Sequence, residues 1–314
     1  MSSENNQKDS FLYSLNHASV DDIAEVNPEI EKKRKAAKTR SIIRYVIMGI
    51  CVCVFVVSAF SIVKTLYGYK QAEEFYDHMY EDLGDTGSAL EETAMISELG
   101  SFGTINKPKG EDDHTYNLLF ERMRSRILAL REKNNDVYGW IIIPGTENID
   151  YPIMQSGDND YYLSRTYSGD YMAAGSIFAD YRCDKDINGN FNFIVYGHNM
   201  QNRMMFSELI KFLDEDFFNK NQYVYVYTDK GIYTYKIFSV YKTDYKYKYI
   251  ETGFPSGEEF VKWAEEMRSN SKFKREGISF DTNSRVITLS TCTNALWSDR
   301  YCVQALLVDA YNEP

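Results

Sequence analysis

The sequence predicts a mainly β protein, a closed barrel preceded by one membrane-spanning helix. Three observations lead there. Nineteen residues, Tyr45 to Val63, run without a charged side chain. Beyond residue 135 the chain breaks into short β-like runs separated by turn residues, with few helical stretches between them. The 26 tyrosines against only 6 prolines suit strands and a groove surface better than disorder.

The uncharged run comes first in the argument. As a helix it spans about 28 Å, enough for the hydrocarbon core of a bilayer. Lys32, Lys33, Arg34, Lys35, Lys38, Arg40 and Arg44 precede it, and only Lys64 and Lys70 follow before an acidic stretch. This asymmetry predicts a single-pass protein of the cell membrane, with residues 1–44 cytoplasmic, 45–63 as the anchor and the remainder outside. Val57-Ser58-Ala59 resembles a cleavage site, but the 44-residue leader and full-length apolar run favour an uncleaved anchor. Cys51 and Cys53 fall inside the span.

The formal charge of −11 is unevenly spread: +1 over residues 1–44, −8 over 64–114 and −4 over 115–314. An acidic balance argues against nucleic acid as a partner. Residues 64–114 read as an acidic helical spacer, with helical pieces at Gln71–Asp82 and Ser88–Leu99 and a Gly/Pro/Lys break at Gly103–Gly110.

A folded domain, 115–314, then begins with an apolar helical stripe: Leu118, Leu119, Phe120, Met123, Ile127, Leu128 and Leu130. The β-like runs follow at Gly139–Ile143, Gly175–Ala179, Asn192–Tyr196, Tyr223–Thr228, Ile232–Lys242, Val286–Thr291 and Tyr301–Val308. Between the fifth and sixth, Pro255–Lys272 reads as a helix with Phe260, Trp263 and Met267 on one side.

Two strand ends carry candidate chemistry. Alternation along Val286–Cys292 puts Ile287 and Leu289 on the core face and Thr288, Ser290 and Cys292 on the outward one. A thiol leaving a barrel there is unusual unless it is used or paired. His198 follows another strand, after Gly197, and can take or return a proton near a thiol. Arg300 opens the last strand and suits a developing oxyanion. Each residue alone is more often inert, and a disulfide from Cys292 to Cys302 or Cys183 is an open alternative. The five cysteines contain no zinc-type spacing, and no metal or cofactor is expected.

The residues Thr288-Leu289-Ser290-Thr291-Cys292 with Arg300, and Tyr196-Gly197-His198-Asn199 before them, resemble the signature of sortases, the cell-wall transpeptidases of Gram-positive bacteria. The resemblance extends over roughly Asn134 to Asp309. Asp136–Ile141, Asp150–Gln155, Asp158–Leu163, Met205-Phe206 and the helix inserted before the cysteine strand are similar to class B members. It implies a barrel of about eight strands with amino-terminal helices and a long groove. It also implies Cys292 as nucleophile, His198 as general acid/base and Arg300 as the residue steadying the tetrahedral intermediate. Groove positions implied are Asn159, Leu163, Tyr196, Tyr249, Ile250, Ser290 and Thr291. Tyr245 departs from the pattern, which has a smaller hydroxyl residue there.

The implied reaction cleaves a C-terminal sorting signal (NPxTN- or LPxTG-like) of a secreted surface protein after Thr. The thioacyl-enzyme is then resolved by an amine of a peptidoglycan precursor or cross-bridge. Two alternatives are a pilus-polymerising enzyme with a pilin lysine as acceptor, and a catalytically silent tethered binding module. A papain-like protease fits poorly, because here His198 precedes Cys292 in the chain and Cys292 ends a strand.

Overall fold

A computed structural model describes residues 28–83, 112–292 and 299–312. The first helix, α1, runs without a break over Pro28–Asp82. The chain divides into two compact units after Leu66. In the first, the side chains of the uncharged run face outward all round the helix, Phe55 at 73% and Val57 at 65% exposure among them. This is one helix long and apolar enough to cross a membrane, a candidate span.

The second unit, from Tyr67, holds the barrel. The eight strands are β1 (Val137–Ile142), β2 (Asp150–Met154), β3 (Ile177–Ala179), β4 (Asn192–Tyr196), β5 (Tyr223–Tyr227), β6 (Gly231–Asp244), β7 (Val286–Cys292) and β8 (Asp299–Asn312). They close in the order β1-β2-β3-β4-β7-β8-β6-β5. β2/β3 and β4/β7 pair in parallel, and all other neighbours are antiparallel. The predicted strands are present. The exception to the seven expected runs is β2, whose Asp150 and Pro152 read against a strand. Pro152 pairs with Trp140 and Asp150 with Ile142, and the carboxylate accepts the Trp140 indole N–H at 2.5 Å.

Three helices pack around the barrel. In α2 (Asp112–Lys133) the expected stripe is buried at Leu119, Phe120, Met123, Ile127 and Leu130, while Leu118 and Leu128 face out. The short α3 spans Glu215–Lys220 and is capped by the Asp214 side chain. α4, Gly257–Ser269, is the helix expected before the cysteine strand. Ser256 caps it, and Phe260, Trp263, Ala264 and Met267 fall at i, i+3, i+4 and i+7 on one buried face.

That buried face changes the reading of β7. Thr288 and Ser290, expected on an outward face, are 0% and 2% exposed. α4 and Tyr241, Tyr249 and Cys302 build a second apolar layer over this side of the sheet. The hydroxyls are buried because they are paired: Thr288 donates to Asn192 Oδ1 and accepts from Gln304, and Tyr241 donates to Gln304.

Of the segment expected as a spacer, Gln71–Asp82 belongs to α1, and Ser88–Leu99 and Gly103–Gly110 lie outside the described residues. Ala72, Tyr76 and Met79 of α1 are buried in the core of the second unit. The helix that leaves the candidate span is therefore packed against the domain at these positions.

Asp150 provides a test of the packing. Burial pushes its carboxyl up to about 6 from 3.8, and the Trp140 hydrogen bond and Arg122 only partly offset this. The native state holds the proton more tightly than the unfolded chain, so stability falls as pH rises through that interval and levels off above it. Asp150→Asn keeps an acceptor for Trp140 and removes a cost of up to ~3 kcal/mol at pH 7.5. Thermal unfolding at the two extremes checks this: the variant should melt higher at pH 7.5 and match the parent near pH 4.

Candidate functional site

The site is assembled by strand register. β4 and β7 run parallel, with Tyr196 opposite Ser290, and the Gly197 N–H donates to the Ser290 carbonyl at 3.2 Å. Two residues beyond that pair come His198 on one chain and Cys292 on the other. β8 runs antiparallel on the far side of β7 and sets Arg300 opposite Cys292. The backbone positions of His198, far away in sequence, and of Cys292 and Arg300, eight residues apart, thus adjoin at one end of the barrel. Cys292 is placed here by its backbone, since its side chain lies outside the described residues.

His198 is held from two directions. Gly197 backs onto Ile177 and Phe206, where a Cβ would lie 2.4 and 2.8 Å from their side-chain atoms. Only glycine fits without displacing the core. Behind the histidine its carbonyl accepts the Phe206 N–H, across a loop in which Arg203 and Met205 adopt positive φ. In front, His198 Nε2 lies 2.7 Å from the Leu163 carbonyl oxygen. A carbonyl only accepts, so Nε2 carries a hydrogen in this arrangement and Nδ1 is the ring nitrogen left for proton exchange.

Arg300 donates to the Asp299 carbonyl at 3.0 Å, and its guanidinium stands 5.7 Å from the centre of the Tyr245 ring. Tyr245, the departure from the expected pattern, thus supplies an aromatic surface for this arginine.

The other expected groove residues fall into two groups. Asn159 and Tyr196 converge on one carboxylate that sequence reasoning missed, and Ile250 is linked to it through Arg182. Asp180, fully buried, accepts from Tyr196 Oη at 2.8 Å and Asn159 Nδ2 at 3.1 Å, and from Arg182 through both oxygens. Arg182 reaches on to the Ile250 carbonyl at 3.1 Å. Burial would raise the Asp180 carboxyl; the bonds from Arg182 and Tyr196 outweigh it and hold the group below its ordinary range. The sequence signal was faint, an Asp-x-Arg just after a three-residue strand. In the second group, Ser290 Oγ and Tyr249 Oη lie 2.9 Å apart. Thr291 is 2% exposed, and its hydroxyl has no partner among the described residues. Leu163 joins neither group, and its side chain is 41% exposed.

Neither Cys183 nor Cys302 is in a disulfide, which removes both bridges considered for Cys292. Both are buried, and burial pushes the Cys183 thiol up to about 12 and that of Cys302 higher still. Such thiols are poor nucleophiles.

Comparison with known proteins agrees with this fold. A family model described as "Sortase domain" matches residues 141–308. Sortase B of Listeria monocytogenes is 39% identical over 170 residues, covering 54% of this chain and 68% of that protein. The crystal structure of Clostridium perfringens sortase B superposes with a TM-score of 0.55 at 38% identity, over 58% of this chain and 99% of that one. A Staphylococcus aureus sortase B–substrate complex gives 0.56 at 30% identity, over 62% and 91%.

Brief treatment of the native protein with iodoacetamide at pH 7.5, followed by peptide mass spectrometry, tests the burial of the two thiols. Cys183 and Cys302 should stay unmodified until denaturant is added. Labelling of either at the rate of a free thiol would show that the layer under α4 or the β3–β4 region opens.

Proposed function

Because the chain belongs to the sortase family, and to its class B, we propose that it is a membrane-anchored cysteine transpeptidase that cleaves a sorting signal after Thr and joins the protein to a cell-wall amine. The observation that carries this reading is the register of β4, β7 and β8. It brings a histidine, a cysteine and an arginine to one end of the barrel.

In this reading the Cys292 thiolate attacks the Thr carbonyl carbon, forming a C–S bond and an oxyanion. The Arg300 guanidinium, held over Tyr245, stabilises that charge. The tetrahedral centre collapses by breaking the peptide bond, and the departing nitrogen takes a proton from the His198 imidazolium. Its Nε2–H remains on the Leu163 carbonyl, so the transferred proton is the one on Nδ1. An amine then attacks the thioester, gives a proton back to His198, and leaves as a new amide with the thiolate restored. Asn159, Leu163, Tyr196 and Ile250 face the groove that receives the signal, while Tyr249, Ser290 and Thr291, expected beside them, are buried and can act only as its support. Residues 45–63 serve as the anchor, with 1–44 cytoplasmic and the domain from 115 outside. Secreted substrates and lipid-linked acceptors both pass that face.

The test is to incubate the full-length chain in detergent with NPxTN- and LPxTG-type peptides, with and without amines, and search for an acyl adduct on Cys292 by mass spectrometry. An adduct that an amine of cell-wall type discharges is expected. Discharge by a pilin lysine peptide alone would assign the pilus-polymerising role, and no adduct with the thiol reduced would leave a silent binding module. Arg300→Ala should lower kcat/KM on the order of 10²-fold. Arg300→Lys should lose less, because the positive charge is kept, and equal losses would show that the planar guanidinium rather than its charge is required.

A further inference from the structure

The α1 helix reaches the support of His198 through two polar side chains one turn apart. Tyr76, 3% exposed, donates its hydroxyl to the Gly175 carbonyl at 2.9 Å and lies 3.4 Å from Ser176 Oγ. Gly175 has φ +60° and sits directly behind the Leu163 carbonyl, where a Cβ would lie 2.7 Å from that oxygen. The Ser176 N–H bonds the Tyr162 carbonyl at 3.0 Å, tying the same two segments together. The Leu163 carbonyl is the group that His198 Nε2 meets at 2.7 Å.

Glu73 acts on the other flank. Its carboxylate accepts from Asn202 Nδ2 at 3.0 Å, in the loop between His198 and its return at Phe206. The Tyr76 ring also meets the Tyr151 ring edge-on at 5.3 Å, and Tyr151 Oη accepts the Met205 N–H of that loop at 3.3 Å. The segment in front of the histidine and the loop behind it are therefore both fastened to one turn of α1.

We propose that Tyr76 and Glu73 are positioning residues for His198, so that the helix carrying the candidate membrane span is a working part of the active site. The proposal rests on the sortase reading for its catalytic consequence, but the contact can be tested without it. α1 touches neither substrate nor the reacting atoms. It fixes the Leu163 carbonyl, and through it the tautomer and angle of the imidazole. Such support governs the proton-transfer step more than substrate binding.

The experiment compares the full-length chain in detergent with Tyr76→Phe, which keeps the ring, and with Glu73→Ala. Three quantities are measured: kcat and KM with the signal peptide, the melting temperature, and the rate at which diethyl pyrocarbonate modifies His198. Modification is read by mass spectrometry relative to the exposed His78. Losing one hydrogen bond, neutral at Tyr76 and to a solvent-exposed carboxylate at Glu73, should lower kcat roughly three- to ten-fold with KM within about two-fold. Modification of His198 relative to His78 should rise several-fold in both variants. The proposal is overturned if both variants keep parental kcat and His198 reactivity. It is equally overturned if activity falls only in step with melting into the assay range while His198 stays protected in the folded fraction. Should the parent protein form no acyl-enzyme, the functional reading fails by itself, and the modification rates still decide whether α1 holds the histidine.

Discussion

The parallel pairing of β4 with β7 is the constraint on which the site depends. These strands lie some ninety residues apart in the chain, yet five consecutive pairs, Asn192/Val286 to Tyr196/Ser290, hold them side by side. Parallel strands need a crossover between them and are stable mainly when both faces are covered. The inner face is covered by the barrel core, through Phe193, Val195, Ile287 and Leu289. The outer face needs a cover of its own, and the long connection supplies it as α4. The hydroxyls on that side can then exist only as a closed set of hydrogen bonds, which Asn192, Thr288, Gln304 and Tyr241 provide. The strand ends then place the backbone of His198, Cys292 and Arg300 side by side.

A second buried centre ties together the loops beside these strands. Asp180 gathers Tyr196 from β4, Asn159 from the β2–β3 connection and Arg182 from its own turn. Arg182 passes the constraint to the Ile250 carbonyl beyond β6. The Trp263 indole meets the same loop from α4, donating to the Lys248 carbonyl at 2.8 Å. One loop, Lys248–Ile250, is therefore fixed from two sides by a charge-assisted bond and a neutral one.

Much of this was legible in the chain, and the gaps have identifiable causes. β4, β5 and β7 announce themselves through apolar alternation or Tyr/Val runs, and α4 through its cap and its i, i+3, i+4, i+7 face. β2 was hidden because a buried acid and a proline look like loop residues until Trp140 is seen to bond that acid. The outward face of β7 was misjudged because hydroxyls look solvent-seeking when their partners lie a hundred residues away. Asp180 was missed although its partners are near in sequence, since a lone carboxylate after a short strand resembles any turn residue. The second half of the α1 helix was obscured by acidity: its charged residues outnumber Ala72, Tyr76 and Met79, but those three decide where the helix packs. The resemblance to sortases named Cys292, His198 and Arg300, and strand register sets their backbone positions side by side.

The two buried thiols, Cys183 and Cys302, also shape how the domain ages. While it is folded, burial keeps them protonated and out of reach, so an oxidising medium has little to act on. Unfolding releases both on the same chain as Cys292, and neither has a native bridge to restore. Once air has joined any two of them, the route back to the barrel is closed. Heat inactivation in the absence of reductant then behaves as a clock rather than an equilibrium, and a reducing agent would lengthen the useful life of the protein without stabilising its fold.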